Sequence, residues 1–163
     1  MMPRPRGLSY LRLLAVPACL CLAHALAAAG SADLSPIDKI RSVYAKTEAP
    51  GNENVGDPSN ALVRTVLAPA VLALWRENAK CWDEDGEGEQ MWVWGQDVKL
   101  SDLRIATIKQ SDDETVVEAR FKNFDDPQNW KYVFHRHAGT WLADDVLRED
   151  QSIVKAMAAG CQQ

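Results

Sequence analysis

The stretch TVVEARF, residues 115–121, decides the fold because apolar and charged side chains alternate along it. Val117, Ala119 and Phe121 point to one side of an extended chain, and the charged residues between them point to the other. A period of two is typical of an antiparallel sheet with one face packed on a core and one face in solvent. The stretch therefore predicts a sheet that needs a covering layer on one side only.

Similar extended segments lie on both sides of this stretch. Segments rich in β-branched or aromatic residues occupy 91–100, 103–110, 114–124, 129–137 and 140–148. Turn-forming residues separate most of them, such as the Ala-Gly pair before the last segment. Five strands joined in succession predict an antiparallel meander.

Helical patterns precede the strands. Ser35 suits the N-cap of a first helix, and Pro36 suits its first position. Ile37, Ile40 and Tyr44 then share one face of that helix. This pattern predicts an amphipathic helix of about three turns that packs against the sheet.

A second helical segment follows and is divided by a proline. Asp57 is predicted to cap it, and apolar residues then recur at helical spacing. Pro69 has no amide donor and would clash with the preceding turn of a continuous helix. Two helices are therefore expected to meet there, the second running from Pro69 to about Lys80.

The chain closes with a short helical pattern. Asp150 is predicted to cap this helix and Gly160 to end it. Ile153, Val154 and Met157 supply its apolar residues. Helices before an antiparallel sheet and a short one after it predict the α+β class, with the helices covering the packed face.

The N-terminal residues have the pattern of a secretory signal peptide. Arg4, Arg6 and Arg12 precede a short apolar run that ends in small residues. Cleavage is predicted after Ala27 or Ala29, so that residues 1–29 are removed. The chain is then expected to be periplasmic or secreted. A lipoprotein signal is the alternative.

The lipoprotein alternative rests on the sequence VPAC, which ends at Cys19 and loosely resembles a lipobox. Pro17 fits that motif poorly, and the apolar run before Cys19 is short. No later stretch approaches the roughly 20 apolar residues of a membrane span. No membrane insertion is therefore expected after cleavage.

Residues 30–163 have the length of a single domain and a strongly acidic charge. The whole chain has a net charge of −5, and loss of the three signal arginines takes it to −8. This charge repels nucleic acid, so a nucleic-acid partner is excluded. Acidic domains of this kind instead suit a basic partner.

Two of the four cysteines, Cys81 and Cys161, lie in the predicted exported domain. An oxidising compartment favours one disulfide between them, and a loop of this length would be stabilised by about 4 kcal/mol in the chain-entropy model. Two unpaired thiols are the alternative.

The chain also resembles a known superfamily. The order of helices and strands, the sequence GQD at 95–97 and the hairpin WKYVFHRHAGTWLADDV at 130–146 resemble the nuclear transport factor 2-like superfamily, and within it a group of bacterial exported domains of unknown function. The matching hairpin positions are Tyr132, Phe134, Gly139, Trp141, Asp144, Asp145 and Val146. The resemblance implies one domain over 30–163, with helices packed on a curved, cone-like sheet. Leu142 and Ala143 depart from the residue types usual in that group.

His135 and His137 share one face of a predicted strand. Together with Asp144 or Asp145 from the returning strand they could bind a metal ion. The alternative is that HRHAGT is the exposed tip of a hairpin, where Gly139 supplies the turn. A closed metal site needs three or four ligands, so the hairpin tip is favoured and no metal is predicted.

A catalytic role for the same strand follows from the resemblance, since cone-fold isomerases and dehydratases place an acid and a base in their pocket. His135 and Asp145 would suit that general acid–base chemistry if the strand register brings them together. A slip of one residue would place them on opposite faces.

A ligand pocket is a further hypothesis, because aromatic side chains commonly line such pockets. Trp92, Trp94 and Tyr132 are the candidates, and the sequence contains six tryptophans. Burial in the core is the alternative for these residues and the favoured one.

The sequence as a whole predicts an exported, non-enzymatic domain that binds a protein partner or a small apolar ligand, with no cofactor. One concrete version is an acidic domain that blocks a basic toxin. The alternative function is a small isomerase, dehydratase or hydrolase that uses His135 and Asp145. The oligomeric state and the ligand are left open.

Overall fold

The structure, a computed structural model, describes residues 33–47, 57–80, 90–93 and 97–160. These stretches form an α+β fold in which three helices precede a five-stranded antiparallel sheet and one short helix follows it. The predicted class and order of elements are confirmed. The signal segment, Cys19, Cys81, Trp94 and Cys161 lie outside the described residues, so the predictions made for them stay predictions.

The described helices are α1 (Pro36–Thr47), α2 (Ala61–Val66), α3 (Pro69–Asn78) and α4 (Ile153–Ala158). Ser35 caps α1 as predicted, since its Oγ accepts from the Asp38 amide at 3.3 Å. The predicted break at Pro69 is also confirmed, because α2 ends at Val66 and α3 begins at the proline. Within the described part of the chain, no helix is both long enough and apolar enough to cross a membrane.

Two predicted caps are wrong. Asp57 closes a turn by accepting from the Ser59 amide at 2.7 Å, and Asn60 caps α2 by accepting from the Leu62 amide at 2.8 Å. Asp150 lies in a turn with a positive φ of 68°, and Ser152 caps α4 instead. In both cases a second cap-forming residue follows, directly before the first helical residue, and only that residue can reach the free amides of the first turn.

The strands are β1 (Leu100–Gln110), β2 (Glu114–Asn123), β3 (Asp126–His137), β4 (Thr140–Arg148) and β5 (Gln151–Ser152). Each pairs with the next in the chain, so the predicted meander is confirmed. The predicted strand at 91–100 is wrong in its described part, where pairing begins only at Leu100. The fifth strand of the sheet is the two-residue β5 instead.

A physical reason for the missing strand is visible at Met91 and Trp92. The Tyr44 hydroxyl donates to the Trp92 carbonyl at 2.8 Å, and the Tyr132 hydroxyl contacts the Met91 carbonyl at 3.4 Å. Met91, Trp92 and Val93 are all buried, in contrast to the alternate burial of a sheet with one solvent-facing side. Side-chain hydroxyls therefore satisfy backbone acceptors that a strand would have given to a neighbour.

The two faces of the sheet differ in what covers them. The packed face carries Val117, Ala119 and Phe121 on β2, as predicted, and it joins the buried residues of all four helices in one hydrophobic cluster. The outer face is the opposite side. It carries alternate residues of the same strands, which include Glu114, Val116, Val133, His135 and His137, all partly exposed.

A buried lysine joins α1 to the end of α2 and to the start of β4. The Lys39 side chain is 3% exposed, and its Nζ donates to the carbonyls of Thr65 at 2.9 Å and Trp141 at 2.8 Å. It also pairs with Asp33 at 2.8 Å, while Asp33 accepts from the Trp141 amide at 2.9 Å. Burial alone would raise the pKa of Asp33, but these two hydrogen bonds and the Lys39 charge outweigh it and hold the pKa below its ordinary value.

Candidate functional site

A β-bulge in β4 lies at the two aspartates of the hairpin. Val133 pairs with Asp145 and Phe134 pairs with Ala143, so Asp144 is an extra residue without a partner in the ladder. Continuing the register of the tight turn, where His137 pairs with Thr140, would have set Asp145 opposite Tyr132 on the packed face. The same register sets Asp144 opposite Val133 on the outer face, so the bulge adds Asp145 to that face and returns Val146 to the core.

Asp144 lies within hydrogen-bond distance of both histidines of β3. Its Oδ2 lies 3.0 Å from His135 Nδ1 and 2.9 Å from His137 Nε2. The two histidines share the outer face because they are two residues apart on a strand. Their side chains are 42% and 39% exposed, and that of Asp144 is 35% exposed. The arrangement is therefore a half-buried surface site.

Glu114 completes the group from the neighbouring strand. It pairs directly with His135 across β2 and β3, and its Oε2 lies 3.7 Å from His135 Nε2. Its other carboxylate oxygen lies 2.6 Å from Lys109 Nζ on β1. The Lys109 hydrogen bond, with a smaller contribution from the Lys109 and His135 charges, lowers the pKa of Glu114. We call His135, His137, Asp144 and Glu114 the histidine cluster.

Asp145, the aspartate predicted to pair with His135, has a different position. Its Oδ1 accepts from its neighbour's amide, Val146 N, at 2.9 Å and from Ser152 Oγ at 2.7 Å. Because Ser152 caps α4, Asp145 supports the start of the last helix. The partner of His135 is thus Asp144, the residue before the predicted one, which the register of the tight turn also sets on the outer face.

The two histidines do lie together, as the metal hypothesis required. Among the residues that the structure describes, however, no group of three or more histidine, cysteine or carboxylate side chains is arranged to hold a metal ion. The two ring nitrogens are instead at hydrogen-bond distance from one carboxylate oxygen. The geometry is that of two imidazoles oriented by one acceptor.

The pocket candidates that the structure describes lie in the core. Trp92 is 3% exposed and Tyr132 is fully buried, and their rings stack at 5.4 Å. The Tyr132 hydroxyl is 2.8 Å from that of Tyr44, whose ring meets Phe121 edge-on at 5.3 Å. Burial raises the pKa of both tyrosines. Trp94, the third candidate, lies outside the described residues.

Glu114 was missed by sequence reasoning, although a signal for it exists. Asn123 and Asp126 flank a two-residue connection and pair with each other. Counting back from that turn sets Glu114 opposite His135. Counting in the same way from the turn between His137 and Thr140 sets Asp144, and not Asp145, on the face of His135.

Comparisons with family models, with curated proteins and with solved structures found no match for this chain.

Proposed function

We propose that the chain is an exported, periplasmic domain without catalytic activity that binds a protein partner on the outer face of its sheet. The nuclear transport factor 2-like assignment and the cone-like curvature belong to this proposal. Helices ahead of an antiparallel meander are compatible with both. The signal pattern and the acidic charge of the domain support export and a basic partner.

One observation carries the choice of a protein partner over a small apolar ligand. The described aromatic residues that would form a pocket wall, Tyr44, Trp92 and Tyr132, pack against one another and satisfy their own hydroxyl groups. They offer no surface to a ligand in this arrangement. The outer face, in contrast, carries partly exposed apolar residues beside charged ones, which is the composition of many protein interfaces.

Site-specific photo-crosslinking in the cells that produce the protein tests this proposal. A benzophenone amino acid would replace Leu142, which lies on the outer face opposite His135. The matched control places it at Asp125, an exposed turn residue at the other end of the sheet. A discrete adduct of higher mass at position 142, absent at position 125, supports the proposal. Equal labelling from both positions, or none from position 142, would contradict it.

A general acid–base catalyst is the second candidate, and the histidine cluster favours it. A carboxylate that accepts from an imidazole fixes the tautomer and orients the opposite ring nitrogen as a base. Asp144 does this for two imidazoles. Purified protein would be assayed on isomerase, dehydratase and hydrolase substrates beside the Asp144→Asn variant. A turnover that falls by about 100-fold or more in the variant would favour catalysis over binding.

A further inference from the structure

We propose that the histidine cluster binds the guanidinium group of an arginine on the partner. This inference rests on the proposed function, since it names the chemistry that the partner brings to the outer face. It follows from which ring nitrogens carry hydrogen. It also follows from a pair of acceptors that face each other across a short gap.

The hydrogen positions follow from Asp144. An ionised carboxylate only accepts hydrogen bonds, so His135 Nδ1 and His137 Nε2 must both carry the hydrogen. A neutral imidazole has one N–H group and one lone pair. The lone pairs are therefore on His135 Nε2 and His137 Nδ1, the nitrogens that do not face Asp144. The cluster presents acceptors.

The gap between His135 and Glu114 points to the kind of ligand. His135 Nε2 and Glu114 Oε2 are 3.7 Å apart, which is longer than a hydrogen bond. Both atoms are acceptors in the neutral imidazole form, so neither satisfies the other. A ligand with two or more N–H donors can satisfy both at once.

Charge favours a cation for this position. Within the described part of the chain, the imidazoles contact the carboxylates of Glu114 on β2 and Asp144 on β4, and Lys109 on β1 pairs with Glu114. Acids outnumber the single lysine. A guanidinium is planar, stays charged and directs five N–H donors in a fixed fork, so it can bridge neighbouring acceptors. An ammonium is a compact point charge and fits such a pair less well.

The tautomers can be measured directly. Long-range ¹H–¹⁵N correlation spectra of the purified protein at about pH 8 distinguish the two neutral forms of each ring. We expect hydrogen on Nδ1 of His135 and on Nε2 of His137. The chain contains three histidines, so His24 adds at most one further ring to the spectrum. Hydrogen on Nε2 of His135 at this pH would overturn the assignment of acceptors.

Binding is tested with N-acetyl-arginine amide, followed by chemical shifts of the two histidines. N-acetyl-lysine amide and the neutral isostere N-acetyl-citrulline amide are the comparison probes. We expect arginine to bind most tightly and citrulline to give no saturation. Binding of lysine or citrulline as tight as that of arginine would overturn the proposal.

Three variants locate the site. His135→Asn keeps a donor at the position of Nδ1 but removes the outward acceptor, and Glu114→Gln removes the facing charge. Each should weaken arginine binding roughly three- to tenfold. Asp125→Asn makes the same charge change as Glu114→Gln at the opposite end of the sheet and should leave binding unchanged. Equal weakening by Glu114→Gln and Asp125→Asn would reduce the effect to net charge and overturn the site.

Crosslinking separates this inference from the proposed function. If the adduct at position 142 forms but arginine does not bind, only the arginine site is wrong. If arginine binds as expected but no adduct forms, the site stands and the protein partner on the outer face is wrong.

Discussion

The packed face and the outer face of the sheet belong to the same strands but satisfy their polar groups differently. On the packed face the hydroxyls of Tyr44 and Tyr132 are buried and bond to each other and to a loop carbonyl. On the outer face, half-exposed groups pair with neighbours across strands, as His135 does with Asp144. The first arrangement fixes the fold, whereas the second leaves atoms available to a ligand. Stability and binding should therefore respond to different substitutions.

The largest expected effect compares adjacent residues of β3 that point to opposite faces. Phe134 is fully buried, so Phe134→Ala should destabilise the fold by about 3–5 kcal/mol through lost burial and the cavity that remains. His135→Ala removes a half-exposed side chain and should cost less than about 1 kcal/mol. Chemical denaturation of both variants measures the difference. Comparable losses of stability would show that contacts on the outer face also stabilise the fold.

Two lysines that each pair with a carboxylate give the next contrast. Lys39→Met leaves the carbonyls of Thr65 and Trp141 without their buried donor and should cost about 2–3 kcal/mol. Lys109→Met removes an exposed pair with Glu114, and such pairs are worth about 0–1 kcal/mol. Unfolding of each variant in urea checks the prediction. A loss at Lys109 that matches the loss at Lys39 would contradict it.

The dependence of stability on pH in the acidic range tests the contacts of Asp33 with Lys39 and the Trp141 amide. Its pKa in the folded protein lies below the ordinary value of 3.8, so its contribution is fully present above that pH and is lost as the pH falls through the folded pKa. Near neutrality the free energy of unfolding of wild type should exceed that of Asp33→Asn by about 1 kcal/mol or less, because the carboxylate is partly exposed.

The control is how the difference in free energy of unfolding between the two proteins changes with pH. The gap between wild type and Asp33→Asn should stay constant from about pH 7 to pH 5 and close below about pH 4. Thermal unfolding across this range measures it. A gap that opened on acidification would mean that Asp33 has the opposite sign of pKa shift and that the Lys39 pair does not hold it.

Local patterns in the sequence predicted the parts of the fold that depend on local physics. The alternation around Val117 predicted its face correctly, because side-chain direction in a strand depends only on position along it. Pro69 predicted the break between α2 and α3, because the missing amide acts within one turn. Ser35 predicted the start of α1, because its hydroxyl accepts from an amide of the first turn of that helix.

The parts that could not be predicted depend on contacts distant in the chain. Met91 and Trp92 looked like a strand, but hydroxyls from Tyr44 and Tyr132 bond to that backbone in the folded protein. The position of Asp145 on the outer face depends on a bulge, which the residue pattern of this hairpin does not indicate. Register is the quantity that periodicity leaves open.

The smallest expected effect concerns the turn that ends the outer-face hairpin. Ala138 and Gly139 have φ values of 50° and 90°, and positive φ at both positions of a two-residue loop is the type I′ turn. Alanine is poorly suited to this region, whereas asparagine tolerates it. Ala138→Asn should therefore stabilise the protein by about 0.5 kcal/mol without moving the histidine signals.

Gly139→Ala gives the matched opposite of that change. A Cβ at Gly139 would meet nothing within 4 Å, so the only cost of the substitution is the positive φ. We expect a loss of about 1 kcal/mol. Thermal unfolding of the two variants beside wild type measures both signs. If both substitutions were neutral, the turn would not hold the type I′ geometry, and the register that brings His135 to Asp144 would need another cause.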